Sequence, residues 1–448
     1  MTVVLNPPDV GDPVAGAPAL APLLERIEGR TAVVAVVGLG YVGLPLALAA
    51  DGAGFPTIGF DVDPDRVGQL RDGRSYLPGD VDDTSVARSS VDWEADRAVL
   101  AAADVLVIAV PTPLRDGSPD LGPVRGAAEA VAAVLRPGQL VVLESTTWPG
   151  TTEEVLQPLL EASGLRAGTD FALAFSPERV DPGSSWDVST TPKVVGGVTR
   201  ADATVAAAFY RGFVPAVHVT STPREAEMAK LIENTFRQVN IGLVNELATL
   251  APALGVDMWE ALEAAATKPF GYLPFWPGPG VGGHCIAVDP TYLSWRCEQQ
   301  LGFGVGFIAH ARNVNNKMPA YVVSRAAEVL NDRASKALRG SRVCAIGAAY
   351  KAGVGDVRES PAVAVIDRLV GAGAEVDVVD PFVAAVDVAG GTRPTVALDR
   401  ALDGDPDLGI ILTPQPGVDL DRLIGTGVPV LDACGATRAE RAGSVVLL

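Results

Sequence analysis

The stretch TAVVAVVGLGYVGLPLALAADGAGFPTIGFDVD, residues 31–63, decides the fold. An uninterrupted apolar run enters a glycine-rich turn, Gly38-Leu39-Gly40-Tyr41-Val42-Gly43, and a helical pattern follows. A second apolar run then ends at Asp61. A strand that is apolar on both faces belongs in a buried parallel sheet. A GxGxxG turn alone is weak evidence, but here it leaves a strand and opens a helix, with an acidic residue about 20 positions on. Gly38 allows the tight turn, Gly40 lets backbone approach a pyrophosphate, and Gly43 lets helix and strand pack. The helix N-terminus offers N–H groups and positive partial charge to phosphate. Asp61 would accept hydrogen bonds from a ribose diol and repel a 2′-phosphate, which favours NAD over NADP.

The same alternation continues outward. FPTIGFDVD, VLVIAVPTP, LVVLESTTWPG, FALAFSPER and KVVGGVT read as strands between Ala-rich helical stretches, which makes βαβ units. From Pro223 to about Val256 the chain reads as one long helix interrupted only by Gly242. A Gly/Pro-rich loop, KPFGYLPFWPGPGVGGHC, and shorter helices follow. Near residue 340 alternation returns with SRVCAIGAAY, AVAVIDRLVGAGAEVDVVDP, LGIILTP and VPVLDA. The fold class expected is α/β: two Rossmann-like domains joined by a long central helix and a helical middle. The boundaries expected are 1–29 for an N-terminal extension, 30–220 for the NAD-binding domain, 221–325 for the central helical dimerisation domain with the cysteine loop, and 326–448 for the second Rossmann-like domain. Residues 1–18 read as a flexible tail, and ALAPLLERIEG, residues 19–29, as an amphipathic helix.

Composition narrows the function. The 448 residues carry 35 Lys plus Arg against 54 Asp plus Glu, a formal charge of −19. Nucleic-acid binding needs clustered cations, so the balance speaks against it. The four cysteines, Cys285, Cys297, Cys344 and Cys434, have no metal-ligand spacing, and no metal is expected. No basic leader or apolar span is evident, and a reducing cytoplasmic setting is expected.

Several residues stand where open α/β sheets bind ligands, beyond the C-terminal ends of strands. They are Thr112 in VPTP, Thr146 in ESTT, and Glu178 with Arg179 in SPER. Each also fits a turn cap, and Glu178 also fits a simple pair with Arg179. On the long helix Lys230, Asn234 and Arg237 share one face. Such a stripe fits the solvated face of a surface helix, while apolar residues on its other sides, including Met228, Leu231, Ile232, Phe236 and Leu243, equally suggest a mostly buried helix whose polar stripe faces a cleft. In GGHCIAVDP, residues 282–290, Cys285 follows two glycines, so it reads as a loop residue where backbone permits close ligand approach, with a small buried hydrophobe as the alternative. Asp289-Pro290 reads as a helix N-cap followed by Pro at the first helical position.

Taken together, GLGYVGLPLA, GFDVD, VPTP, ESTTWPGTTEE, SPERVDPG, PKVVGG, EMAKLIENTFRQVNI, GPGVGGHCIAVDP, ARNVNNKMP and GAAYKAGVGDVRESPA resemble the UDP-glucose/GDP-mannose dehydrogenase family over roughly residues 31–440. The resemblance implies NAD-dependent oxidation of a nucleotide-sugar C6 alcohol to the acid, of the kind that feeds polysaccharide biosynthesis. Cys285 is implied as nucleophile, Lys230 and Asn234 as oxyanion donors, and Asp289, Thr146 and Glu178 as groups that position or activate water. The cofactor would meet Gly38, Gly40, Tyr41, Val42, Gly43, Asp61, Arg66, Thr112, Thr146 and Lys351. The UDP-sugar would meet Glu178, Arg179, Lys230, Asn234, Arg237, Gly282, Gly283, Arg312 and Arg358. The resemblance also implies a homodimer or larger oligomer through the central helix. Its motifs look most like the branch acting on UDP-N-acetylhexosamines, UDP-N-acetylglucosamine above all. UDP-N-acetylmannosamine and UDP-glucose are the runners-up. The N-terminal extension, AGVGD after Lys351, and Ala287 in place of Pro depart from the family pattern. Two readings of other classes stand beside this one: a sensor that binds NAD and a nucleotide sugar without turnover, and a two-electron hydroxyacid dehydrogenase, which would need no cysteine in its cleft.

Overall fold

The computed structural model describes residues 17–77, 81–180, 186–438 and 443–448. Most of the expected flexible tail therefore lies outside the described residues. From Ala17 on, the chain is packed rather than loose. A short 3₁₀ turn, Pro18–Leu20, leads into the helix Ala21–Glu28, and Leu20, Leu23 and Ile27 are fully buried. Arg30 lies over the Phe55 ring at 4.7 Å and donates to the Gly212 carbonyl at 3.2 Å. The end of the extension is thus built into the core that follows it.

The chain forms two compact units that divide after Ile232, inside the long helix. The main sheet of the first has eight strands: β1 Val34–Val37, β2 Thr57–Phe60, β3 Asp92–Glu94, β4 Val105–Ile108, β5 Leu140–Leu143, β6 Ala172–Phe175, β7 Lys193–Gly197 and β8 Val217–Thr220. Their order is β8-β7-β6-β5-β4-β1-β2-β3. Every pairing is parallel except β6 with β7, which is antiparallel against the expectation of a wholly parallel sheet. Each residue of β1, β2, β4, β5 and β6 is buried, as their unbroken apolar runs require. Each fully buried Val or Leu in such a strand contributes about 1.5–3 kcal/mol. The chain leaves β1 towards one edge and β4 towards the other, which makes the crevice beyond β1 and β4 the switch point. The unexpected strands, β3 and β8, are edge strands. Their half-polar sequences, DWE and VHVT, carry no buried-strand signal.

The second unit holds a parallel sheet of β9 Arg342–Ile346, β10 Glu375–Val379, β11 Leu408–Ile411, β12 Val430–Asp432 and β13 Val445–Leu447, ordered β10-β9-β11-β12-β13. It repeats a device of the first. Asp380, just past β10, accepts the N–H groups of Ala348 and Ala349 at 2.8 and 3.1 Å, pinning the turn after β9.

The long helix spans Pro223–Leu250, and a 3₁₀ turn carries it to Gly255 in the left-handed region. Its first turns are held by Glu227, which is fully buried. The carboxylate accepts from the Thr152 N–H at 2.8 Å, the Thr152 hydroxyl at 2.7 Å, and the Gly150 N–H. Burial outweighs those hydrogen bonds and pushes its pKa up from 4.5 to about 7. Folding therefore takes up a proton here between these values. The contribution of this group is complete below its unfolded value and fades as the pH rises through about 7. Its full size is on the order of 3 kcal/mol. E227Q cannot titrate, so wild type should lose stability relative to E227Q as the pH is raised from about 5 to about 8, as read by calorimetric melting.

Candidate active site

The glycine turn is shaped by close contacts. Gly38 has φ of 92°, and a Cβ there would stand 2.9 Å from the Ala109 carbonyl oxygen. A Cβ on Gly43 would stand 1.8 Å from the Gly38 carbonyl oxygen. Gly40 is different: among the described residues nothing lies within 4 Å of where its Cβ would be. The helix Gly43–Gly52 has no side-chain cap, so no capping side chain occupies its N-terminal N–H groups. Asp61, at the end of β2, accepts the Leu39 N–H at 2.8 Å and the Asp63 N–H at 3.0 Å. The Tyr76 hydroxyl donates to the Leu39 carbonyl, so Leu39 is held from both sides. Arg66 reaches Asp61 at 3.7 Å and Asp63 at 3.4 Å. Tyr41 and Val42 complete the turn, half-buried. An open glycine face at an uncapped helix N-terminus, beside a carboxylate, fits the pyrophosphate and ribose of NAD.

Across the switch point, the Thr112 hydroxyl donates to the Thr146 carbonyl at 2.9 Å, and the Ser145 hydroxyl to the Val110 carbonyl at 2.7 Å. The loops after β4 and β5 are thus tied together. Glu144, beside them, points inward and is fully buried. It pairs with Lys193 at 3.0 Å. Glu178 pairs with the same Lys193, at 3.2 Å. The Arg179 side chain turns away to the Pro192 carbonyl at 2.7 Å, while its backbone N–H donates to Glu178 at 2.7 Å. The alternative of a Glu178–Arg179 side-chain pair is therefore replaced by Glu178–Lys193. Sequence reading missed Lys193. The available signal was a lysine opening KVVGG, whose other residues are all apolar or glycine. Lys230 is buried in the first unit.

In the second unit, the Asn234 amide donates to Asp289 at 2.6 Å. Asp289 is buried, but not as a helix cap. The helix runs His284–Leu301 and begins after Gly283, with Pro290 inside it. The expectation of an N-cap at Asp289 is therefore corrected: Gly283, at φ 77°, lets the chain enter the helix earlier, so the N-cap is Gly283 and Cys285 lies in the first turn. Cys285 accordingly sits in that first turn, exposed, and not in a loop. Asp289, four residues on, shares its face. Pro290 has no N–H for the Ile286 carbonyl. Gln238 supplies one at 3.1 Å, a partner that sequence reading also missed.

Gly282 and Gly283 lie against the second sheet's first loop. A Cβ on Gly282 would stand 2.6 Å from Pro361, and one on Gly283 2.7 Å from the Tyr350 ring. Lys351 follows that tyrosine, half-buried. Arg358 is exposed and pairs with Asp356 at 2.6 Å. Arg312 reaches the Thr291 hydroxyl at 3.4 Å, and Arg237 is exposed. The long helix is less buried than expected: Ile232, Phe236 and Leu243, read as signs of a mostly buried helix, are 55%, 47% and 52% exposed.

Three models of one family match the chain in order. They are the NAD binding domain of the UDP-glucose/GDP-mannose dehydrogenase family at residues 32–214, its central domain at 224–317 and its UDP binding domain at 344–426. A UDP-N-acetyl-D-glucosamine 6-dehydrogenase of Pseudomonas aeruginosa is 40% identical over 359 residues, 79% of this chain and 84% of that protein. The solved UDP-N-acetylmannosamine dehydrogenase of Pyrococcus horikoshii superposes with TM-score 0.80 at 34% identity, covering 90% of this chain and 95% of that one. A UDP-glucose dehydrogenase of Pyrobaculum islandicum does so with TM-score 0.79 at 31% identity, covering 93% and 96%.

The glycine turn separates packing from ligand approach. G40V should fold with a near-normal melting temperature yet lose at least about tenfold in NAD affinity. G43A should instead destabilise the first unit by about 1–3 kcal/mol, because helix and turn must move apart. Calorimetry with NAD titration distinguishes the two.

Proposed function

We propose, for a chain that belongs to the UDP-glucose/GDP-mannose dehydrogenase family and is an NAD-dependent nucleotide-sugar dehydrogenase, a four-electron oxidation of the C6 alcohol of a UDP-N-acetylhexosamine to the uronic acid. The observation that carries it is Cys285, exposed in the first turn of a helix with the Asn234–Asp289 pair one turn further along. A helix N-terminus carries positive partial charge, a setting that favours a thiolate. Cys344 and Cys434 are the contrast: burial pushes the Cys344 thiol up to about 12 and raises Cys434 well above its usual value.

NAD, when bound, supplies the hydride acceptor, one molecule for each of two oxidations. The chain's own groups do the rest. After the first oxidation the substrate C6 is an aldehyde. The Cys285 thiolate adds to that carbon, and the new oxyanion takes hydrogen bonds from Lys230 and Asn234. The second oxidation leaves a thioester on Cys285. Water, directed by Asp289, Thr146 and Glu178, adds to the acyl carbon, the C–S bond breaks, and carboxylate and thiolate separate. Arg237, Arg312, Arg358 and the Gly282–Gly283 turn would hold the UDP-sugar, with guanidinium groups pairing the diphosphate oxygens. The cofactor would meet the Gly38–Gly43 turn, Asp61, Arg66, Thr112 and Lys351.

UDP-N-acetylglucosamine is the substrate proposed, supported by the name of the Pseudomonas aeruginosa relative. UDP-N-acetylmannosamine is the second reading, supported by the Pyrococcus horikoshii structure. A cytoplasmic setting is proposed because the nucleophile must stay reduced.

Two copies would meet along the long helix. Phe236, Leu243, Leu247, Leu250 and Leu254 are all at least 41% exposed among the described residues and recur at spacings of three, four and seven, a partly exposed apolar seam.

NADH counted against a panel of UDP-sugars should give two per UDP-N-acetylglucosamine consumed. One per sugar would remove the thioester step, preference for another sugar would move the substrate, and no turnover with any sugar would favour a binding protein. C285S should bind NAD normally and lower acid formation by at least about 100-fold. L243E/L247E should sediment as a monomer where wild type sediments as a dimer.

A further inference from the structure

Lys193 is 3% exposed at the start of β7, yet two carboxylates face its one ammonium. Glu144 Oε2 is 3.0 Å away and Glu178 Oε2 3.2 Å. Behind Glu144, the Tyr210 hydroxyl donates to Oε1 at 2.5 Å, and the Tyr210 ring lies 5.2 Å from the ammonium. Glu144 and Tyr210 are both fully buried. All four groups belong to the first unit.

Burying charge is costly, and one carboxylate would have been enough to balance one ammonium. The two carboxylates are not equivalent. The Glu144 side chain is wholly enclosed, whereas that of Glu178 keeps 12% exposure. Glu178 Oε1 is held by the N–H groups of Arg179 and Val180 at 2.7 and 2.6 Å, and Oε2 by Lys193. The carboxylate is therefore gripped at both oxygens and cannot rotate freely. The cluster has a closed end, Tyr210 with Glu144, and an open end, Glu178, with Lys193 between them.

We propose that Lys193 is a positioning residue: anchored by Glu144 and Tyr210, it holds Glu178 ionised and in one orientation, so that Glu178 acts as a hydrogen-bond acceptor for substrate or water rather than as a proton donor. The inference rests on the proposed function, in which Glu178 serves the reacting centre. Among the described residues, the charged and titratable groups facing Glu178 are Lys193 from β7, Glu144 from the end of β5, Lys230 from the long helix and Tyr210 from the helix Arg200–Tyr210. Burial pushes Glu178 up, but the Lys193 charge, the Val180 N–H, the Lys230 charge and the Arg179 N–H together hold it below the usual carboxylate range. Burial likewise dominates at Glu144, and there it wins, so that carboxyl is raised. Lys193 itself is lowered by burial but raised further by its two partners. It stays an ammonium at neutral pH.

Removing the ammonium should reverse the balance at Glu178. In K193M two carboxyls would share a dry site without a cation, and the acid limb of the kcat–pH profile should move up by about one to three units. At neutral pH kcat should fall about 100-fold, with KM for NAD near wild type. K193R keeps the charge and should recover at least about tenfold of that loss without moving the limb. E144Q removes the competing carboxylate, so its limb should stay in place or move down. An opposite response of two neighbours is what general damage to the unit would not produce. Melting temperature and NAD affinity report folding, and if K193M does not fold, K193R and E144Q carry the test. A K193M limb at the wild-type position in folded, NAD-binding protein would overturn the proposal, as would an upward shift in E144Q.

A readout independent of turnover separates this inference from the assigned reaction. Glu227 already contributes a carboxylic-acid carbonyl band to wild type at neutral pH, so the readout is the K193M-minus-wild-type infrared difference spectrum, which should show an additional carboxylic-acid carbonyl band that is lost again in K193M/E178Q. Its absence would overturn the proposal even in an active enzyme. Its presence in a protein inactive on every UDP-sugar would leave the Lys193 inference standing and the reaction assignment failed.

Discussion

Of the described glycines in the first unit Gly43 is the most tightly approached: a methyl group there would stand 1.8 Å from the Gly38 carbonyl oxygen. Everything at the crevice follows from that approach. The helix can lie against β1 only because Gly43 has no side chain. Its N-terminus then ends beside Gly40, whose outer face is open. Gly38, at φ 92°, turns the chain tightly against Ala109 after β4. The anion-binding end of the helix and the loop carrying Thr112 are therefore set by one crossing of strand and helix.

A second principle runs through both units: buried or half-buried carboxylates hold loops by their N–H groups. Asp61 takes Leu39 and Asp63, Glu178 takes Arg179 and Val180, and Glu227 takes Gly150 and Thr152. In the second unit Asp380 takes Ala348, Ala349 and Phe382, while Asp432 takes Cys434, Gly435 and Thr437. Loops beyond strand ends lack ladder partners, and a carboxylate offers several acceptor sites where a carbonyl offers two. Part of the chain's acidic excess is thus internal scaffolding, and it does not all mark a surface for cationic partners.

The family resemblance read from motifs agrees with the three matching family models, and NAD as cofactor agrees with the first of them. The relatives divide over the sugar, with N-acetylglucosamine, N-acetylmannosamine and glucose names all represented. The three sugars differ only at C2, so their discrimination is a matter of a few contacts on a shared scaffold.

Local pattern alone determined the central strands, the glycine turn and the long helix. Continuous apolar runs such as VLVIA and LVVL can be satisfied only in a sheet covered on both faces, and a glycine turn between strand and helix has one common use. The edge strands β3 and β8 were not legible, because a half-exposed segment of three or four residues carries no distinctive period. The start of the cysteine helix was misplaced because Asp-Pro is a good cap in isolation, whereas Gln238 from the long helix satisfies the carbonyl that Pro290 leaves without a donor. Glu178 was legible as a rim carboxylate, but its partner was not. Lys193 lies 15 residues away in sequence, and Glu144 lies 34 before Glu178. Only the sheet, which sets β5, β6 and β7 side by side, brings two carboxylates to one ammonium. Sequence periodicity reports which face of an element is buried; the tertiary structure decides which charges meet there.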